Sequence, residues 1–293
     1  MAILKLNSSD YVLGTHEAEV TRLELQHSLW RKHAHEAWRR AGIRPGKRVL
    51  DLGAGPGFAT RDLARLVGAS GRVLGVERSP RFIESARRWC QAEGVHHVEF
   101  HEADVMKDPL PEMLFDMAWC RWVACFVSSP ERLVERLAGV LRPGGKAIFH
   151  EFAEYGTWRF LGNFPHLDAF VELVMKSWRS TGGEPNIARR LPGLLPESGF
   201  KVVHTKPYLF CIRPGEPMWR WPTSFIETNL RRLVELKMAD ERLAQEILRE
   251  FRAASASPDT LMMTPVLLEV IAERLPRSGG QREPSNAQGT RPC

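Results

Sequence analysis

Nowhere in the 293 residues do two cysteines stand as a CxxC pair. The cysteines at Cys90, Cys120, Cys125, Cys211 and Cys293 are an odd set without metal-ligand spacing. This excludes a disulfide framework and a zinc knuckle and fits a reducing, cytoplasmic setting. No run approaches the ~18 apolar residues of a membrane span. The opening stretch MAILKLNSSDYVLG also lacks the charged-then-apolar pattern of a secretion signal, so neither insertion nor export is expected. Internal repeats are absent, as is the Gly-Lys-Ser/Thr ending of a phosphate-binding P-loop.

Charge of one dominant sign is also missing. Lys and Arg total 41 against 35 Asp and Glu, a net +6. The Arg-Arg pairs at 39–40, 87–88, 189–190 and 231–232 fall in separate helical segments, which reads as a solvated exterior rather than a nucleic-acid surface.

What is present is an alternation. Residues 16–41 carry apolar residues at helical spacing, and the turn IRPGK ends that helix. Strands are expected at 48–53, 72–77, 98–104, 115–123 and 146–152. Helices at 58–68, 79–94 and 129–141 separate most of them, which predicts right-handed βαβ units and a parallel sheet. Beyond these lie an aromatic-rich helical insertion at 153–195, a strand at 201–212, a largely helical 216–254 and a last strand beginning near 262. A polar tail from Pro276 has the composition of a disordered segment.

The first strand runs into VLDLGAGPG, residues 49–57. Glycines between a buried strand and a helix let backbone approach a ligand at free helical N–H groups. A dinucleotide fingerprint would place a small residue at 58, where Phe58 stands, and its third glycine is instead Gly57.

VLDLGAGPG, Glu77 ending the next strand in GVERSP, Asp104 ending the third in EAD, and LRPGGKAIFHEF together resemble class I S-adenosylmethionine (SAM)-dependent methyltransferases over about residues 43–152. Two further stretches, DYVLGTHEAEVTRLELQ and ARRLPGLLPESGF, extend the resemblance to the small-molecule type of ubiquinone and menaquinone biosynthesis. The resemblance implies a seven-stranded, doubly wound Rossmann-like α/β sheet with its last strand antiparallel. It also implies four segments: a helical lid at 1–41, a cofactor-binding core at 42–152, capping insertions plus the last two strands at 153–275, and the tail at 276–293.

It further implies roles. Gly53, Gly55 and Gly57 would lie against the amino-acid and ribose portion of SAM, and Glu77 would take the ribose hydroxyls. Arg78 would lie along the adenine, and Asp104, with the Val105 backbone, would take the adenine amino group. Arg121 would sit at the amino-acid end, with Tyr11 in the lid. Asp51 would orient the loop.

His150 and Glu151 end the fifth strand at the ligand-binding edge. One of them should face the pocket, and His150, with an ordinary pKa near 6.5, is the candidate general base. Tyr155 and His166 are weaker candidates. Relatives often carry a polar residue where Cys125 and Phe126 stand, so no catalytic role is carried over there. His33 and His35 fall on different helix faces, and no metal is expected.

The later region holds Trp158, Phe160, Phe164, Phe170, Trp178, Trp219, Trp221 and Phe225, of which core packing accounts for half. The expected acceptor is therefore a hydrophobic or aromatic small molecule, with O-methylation ahead of C- or N-methylation. An RNA or protein methyltransferase, or a SAM-binding protein that transfers nothing, are the alternatives. A homodimer is compatible with either.

Overall fold

Near-continuous apolar runs form the middle of a parallel sheet, because strands covered by helices on both faces have no side to leave polar. The computed structural model describes residues 17–276; Tyr11 and the tail from 277 lie outside them. Strands β1 (Arg48–Leu52), β2 (Arg72–Glu77), β3 (Val98–Glu102), β4 (Phe115–Arg121) and β5 (Leu141–Glu154) alternate with helices α2 (Phe58–Val67), α3 (Pro80–Ala92) and α4 (Pro130–Val140). α3 and α4 begin on Ser79 and Ser129, whose hydroxyls accept the N–H groups of Phe82 and Arg132, with proline next in each case.

The later chain adds β6 (Arg159–Leu161), α5 (Pro165–Ser180), α6 (Leu191–Glu197), β7 (Phe200–Tyr208) and β8 (Cys211–Ile212). It ends with α7 (Arg220–Glu235), α8 (Glu241–Ala256), β9 (Leu261–Met263) and β10 (Val266–Arg274). The main sheet has seven strands in the order β3-β2-β1-β4-β5-β10-β7. β10 runs antiparallel between β5 and β7, and the pairs among β1 to β5 are parallel. The strand order reverses direction between β1 and β4, which opens the crevice where ligands bind in open α/β sheets.

One expectation needs correction. The single strand read over 201–212 breaks at Leu209 and Phe210. β8 turns away to join β6 and β9 in a separate three-stranded sheet, and the Thr264-Pro265 step parts β9 from β10. The N-terminal helix α1 (Glu17–Ala41), the described part of the segment read as a helical lid, packs against the core. Trp30, Ala34, Ala37 and Trp38 are fully buried. Trp38 joins Leu63, Trp119 and Ile148 on one face of the sheet, while Trp30 belongs to the larger core under the capping helices. Among the described residues, no helix is long and apolar enough to cross a membrane.

Candidate active site

The β1–α2 loop lies at that crevice. Gly53, Gly55 and Gly57 all hold positive φ angles of 68°, 56° and 86°. A Cβ on Gly53 would lie 2.4 Å from Val123 Cγ2, and one on Gly57 would lie 2.8 Å from Ala86 Cβ. These two glycines are therefore demanded by protein packing as well as by backbone conformation. At Gly55 a Cβ would meet nothing within 4 Å, so this is the glycine that fronts open space. Asp51 accepts from Thr60 Oγ1 at 2.6 Å and so pins α2 to β1, the orienting role expected of it.

Glu77 faces the same space. Its Oε2 accepts the Gly55 N–H and its Oε1 the Ser79 N–H, both at 2.9 Å. Burial raises its pKa despite these bonds. The strand pairing carries β3 alongside, where the Ala103 N–H donates to the Glu77 carbonyl at 3.0 Å. Asp104 follows: its Oδ1 accepts from the Met106 N–H at 2.9 Å, and Lys107 Nζ lies 3.5 Å from Oδ2. Val105 packs partly buried on the core, and Arg78 is exposed.

Arg121 ends β4 on the other side of the crevice. Its Nη2 donates to His27 Nδ1 at 2.9 Å, and its guanidinium stands 5.1 Å from the centre of the Trp122 ring. Nη1 is buried without a partner among the described residues. Because arginine can only donate, His27 Nδ1 must accept. Nε2 therefore carries the proton that it gives to Asp62 Oδ2 at 3.1 Å. Burial lowers the His27 pKa to about 4, so the ring is neutral at physiological pH.

Asp62 also accepts from Arg31 and His35. Burial would raise its pKa, but the bonds from His27, Arg31 and His35 outweigh it and hold the carboxylate well below its ordinary range. Sequence reasoning missed this network. Its signal was the spacing of His27, Arg31 and His35, one turn apart along a single face of α1.

The catalytic role expected of His150 is not supported. Along β5, side chains alternate, so Ile148 and His150 share the face toward α1, and Phe149 and Glu151 share the other. His150 is fully buried, 4.8 Å from Trp119 ring to ring and 3.2 Å from Glu269 Oε2. Burial lowers its pKa to about 4. It is a neutral packing residue under α1. His166 likewise sits between Glu246 and Glu250 at 3.4 and 3.3 Å, within the capping helices.

Glu151 instead supports the site. It accepts the N–H groups of Val123 at 2.8 Å, Ala124 at 2.9 Å and Cys125 at 3.3 Å, which fixes the loop after β4. Within that loop Trp122 holds a φ of 53°, a left-handed conformation costly for an aromatic residue. Burial raises the Glu151 pKa to about 7. A folded-state pKa above the unfolded value adds stability that is complete below about pH 4.5 and lost as pH rises through about 7. Urea midpoints of the wild type should therefore fall from pH 4.5 to 8 relative to those of Glu151→Gln. Parallel curves would show that Glu151 does not titrate in this window.

Beyond Trp122 opens a cavity of about 40 Å³. Eight of its twelve lining residues are aromatic, and they come from both halves of the chain: Trp122, Phe126 and Phe152 from the core, Tyr155, Trp158, Trp178, Trp221 and Phe225 from the cap. The other four cap aromatics serve packing. Phe164 and Trp219 meet Phe160 edge to face, as Phe170 meets Trp158. Among the described residues the lining has no carboxylate, histidine or lysine. Its ionisable side chains are Arg22, which is bound to Glu19, and Tyr155, whose hydroxyl burial raises well above its ordinary pKa.

Residues 50–149 match the family described as "Methyltransferase domain". With this sheet order and glycine loop, the segment is a class I SAM-dependent methyltransferase domain of Rossmann-like fold. The chain is 33% identical over 132 residues to the ubiquinone/menaquinone biosynthesis C-methyltransferase UbiE of Ectopseudomonas mendocina, covering 45% of this chain and 50% of that one. An uncharacterised 37.1 kDa protein in transposon TN4556 of Streptomyces fradiae is 38% identical over 177 residues, covering 59% and 49%. The chain thus spans about half the length of these two relatives. Among solved structures, the YcgJ protein of Bacillus subtilis superposes with a TM-score of 0.53 at 20% identity, over 84% of this chain and 100% of that one, which shows a shared fold.

Proposed function

We propose that the chain binds SAM across the β1–β4 crevice and transfers its methyl group to a hydrophobic or aromatic small molecule held in the aromatic cavity. The observation that carries this reading is adjacency. Arg121 faces the crevice and Trp122, the next residue, walls the cavity, so one loop serves both.

The residues present fit the cofactor. Gly55 leaves open space where a larger residue would intrude, Glu77 lies beside it, and Arg121 Nη1 is an unpartnered buried donor suited to a carboxylate. SAM, when bound, supplies an electrophilic methyl group on sulfur. The chain's part is to hold the acceptor in line with that methyl and to exclude water, and such positioning supplies much of the acceleration. With no base among the described lining residues, O-methylation has no advantage over C- or N-methylation; the favoured nucleophile needs no proton removed by them. The arginine pairs also give little support to an RNA substrate, because Arg40, Arg88, Arg189, Arg190 and Arg232 are each bound to a carboxylate.

Calorimetric titration with SAM, followed by transfer of its labelled methyl group into organic-extractable product, tests the proposal. Absence of SAM binding at millimolar concentration would overturn it. Arg121→Met should weaken SAM binding about tenfold or more, the value of a charge-assisted hydrogen bond. It should leave binding of decarboxylated SAM unchanged, and an equal loss for both ligands would remove Arg121 from the carboxylate.

A further inference from the structure

The geometry points to Gln26 as the residue that reads a carbonyl oxygen on a flat, uncharged aromatic acceptor. This inference rests on the reading of the aromatic cavity as the acceptor site.

Gln26 lines the cavity from α1. Its Oε1 accepts from Arg22 Nη1 and from Trp221 Nε1, both at 3.1 Å. Neither of those groups can accept a hydrogen bond, so the amide oxygen must be the atom that faces them. The orientation of the amide is thereby fixed, and its nitrogen is turned away with two hydrogens to give. No described residue accepts from it. In a lining dominated by aromatic rings, this nitrogen is a donor held ready for a ligand oxygen.

The charge of the acceptor follows from the same helix. Arg22 is bidentate on Glu19, at 2.8 and 2.7 Å, and both side chains are buried, so the one arginine of the described lining is already met by a carboxylate. Among the described lining residues no other charged side chain would offset the desolvation cost of a charged acceptor. The shape follows from the rings. Trp122, Phe152 and Trp221 lie within 22° of parallel, with centroids 5.8 to 6.4 Å apart, an arrangement that suits a planar ligand lying parallel to them. The oxygen need not be the methylated atom. Its bond to Gln26 would turn the planar ring system so that one edge, rather than any edge, meets the methyl group.

Fluorenone and fluorene share one planar skeleton and differ by a carbonyl, so they isolate this contact. Equilibrium dialysis should show wild-type protein binding fluorenone at least tenfold more tightly than fluorene, because a site that sets an unpaired donor among aromatic rings discriminates against a ligand without an acceptor. Gln26→Glu keeps oxygens for Arg22 and Trp221 but removes the donor. Fluorenone affinity should fall to that of fluorene, while fluorene changes by less than about threefold. Gln26→Met, which removes the donor without adding charge, should give the same loss of preference and decides the matter if the glutamate variant binds neither compound.

Equal affinity in the wild type, no binding of either compound, or a preference that survives both substitutions would overturn the inference. SAM binding measured on the same preparations separates the two levels. Failure of SAM to bind, with the fluorenone preference intact, would sink the methyl-transfer reading and leave the role of Gln26 standing.

Discussion

Replacing Glu77 with alanine is expected to weaken SAM binding a hundredfold or more, about 2.7 kcal/mol. The carboxylate would accept from two ribose hydroxyls, and hydrogen bonds to a charged group contribute roughly 1.5 to 3 kcal/mol each. It also anchors the Gly55 N–H, so its loss loosens the one glycine that fronts the ligand space. Glu77→Gln keeps one accepting oxygen and should lose about tenfold. Neither variant should unfold the protein. Burial raises the pKa of this carboxyl, which means that the folded state pays a desolvation cost to hold it ionised. Calorimetry beside thermal melts separates the two effects. An unchanged SAM affinity in a folded Glu77→Ala protein would place the cofactor elsewhere.

The second large effect concerns stability. Trp30→Ala should cost about 3 to 5 kcal/mol, the usual range for truncating a fully buried tryptophan, against a total of about 5 to 15 kcal/mol for folded proteins. Trp30 makes edge-on contacts with Trp122, Tyr208, Phe210 and Trp221, with centroids 5.0 to 5.9 Å apart. It supports two rings of the cavity wall from behind, so the void left by its removal borders the acceptor site. Urea denaturation measures the loss, and a loss under 1 kcal/mol would mean that neighbouring rings collapse into the gap.

The sheet was legible because the central strands β1, β2 and β4 carry short buried apolar runs and helices α3 and α4 begin with their own signals, Ser79-Pro80 and Ser129-Pro130. The antiparallel placing of β10 followed from resemblance. The small sheet was not legible: β6, β8 and β9 are two or three residues long, too short for any alternation to register. In the candidate site, Glu77 stood out because a carboxylate at the end of a buried strand is costly without a purpose, whereas β3 ends at Glu102 and leaves Asp104 in the loop beyond it. His150 and Glu151 could not be assigned to faces by adjacency alone; their faces follow from the register of Ile148 and Phe149 against α1 and the cap. The cavity was half visible. Its cap aromatics stood out as a cluster, whereas Trp122 and Phe152 were hidden inside strand-like core segments.

Helix α1 runs 25 residues, about 37 Å. Along it Gln26 faces the acceptor cavity, His27 the cofactor crevice through Arg121, and Arg40 the buried Glu269 at the far end. This continuity limits how freely specificity can be exchanged among enzymes of this architecture. A chimera that grafts another protein's capping region onto this core would inherit Arg22 and Gln26 from the recipient and Trp221 and Phe225 from the donor. It would thus part a hydrogen-bonded pair, Gln26 with Trp221, across the junction. Recombination that respects the cavity has to move α1 together with the cap, although the intervening core, residues 42–152, separates them in the chain.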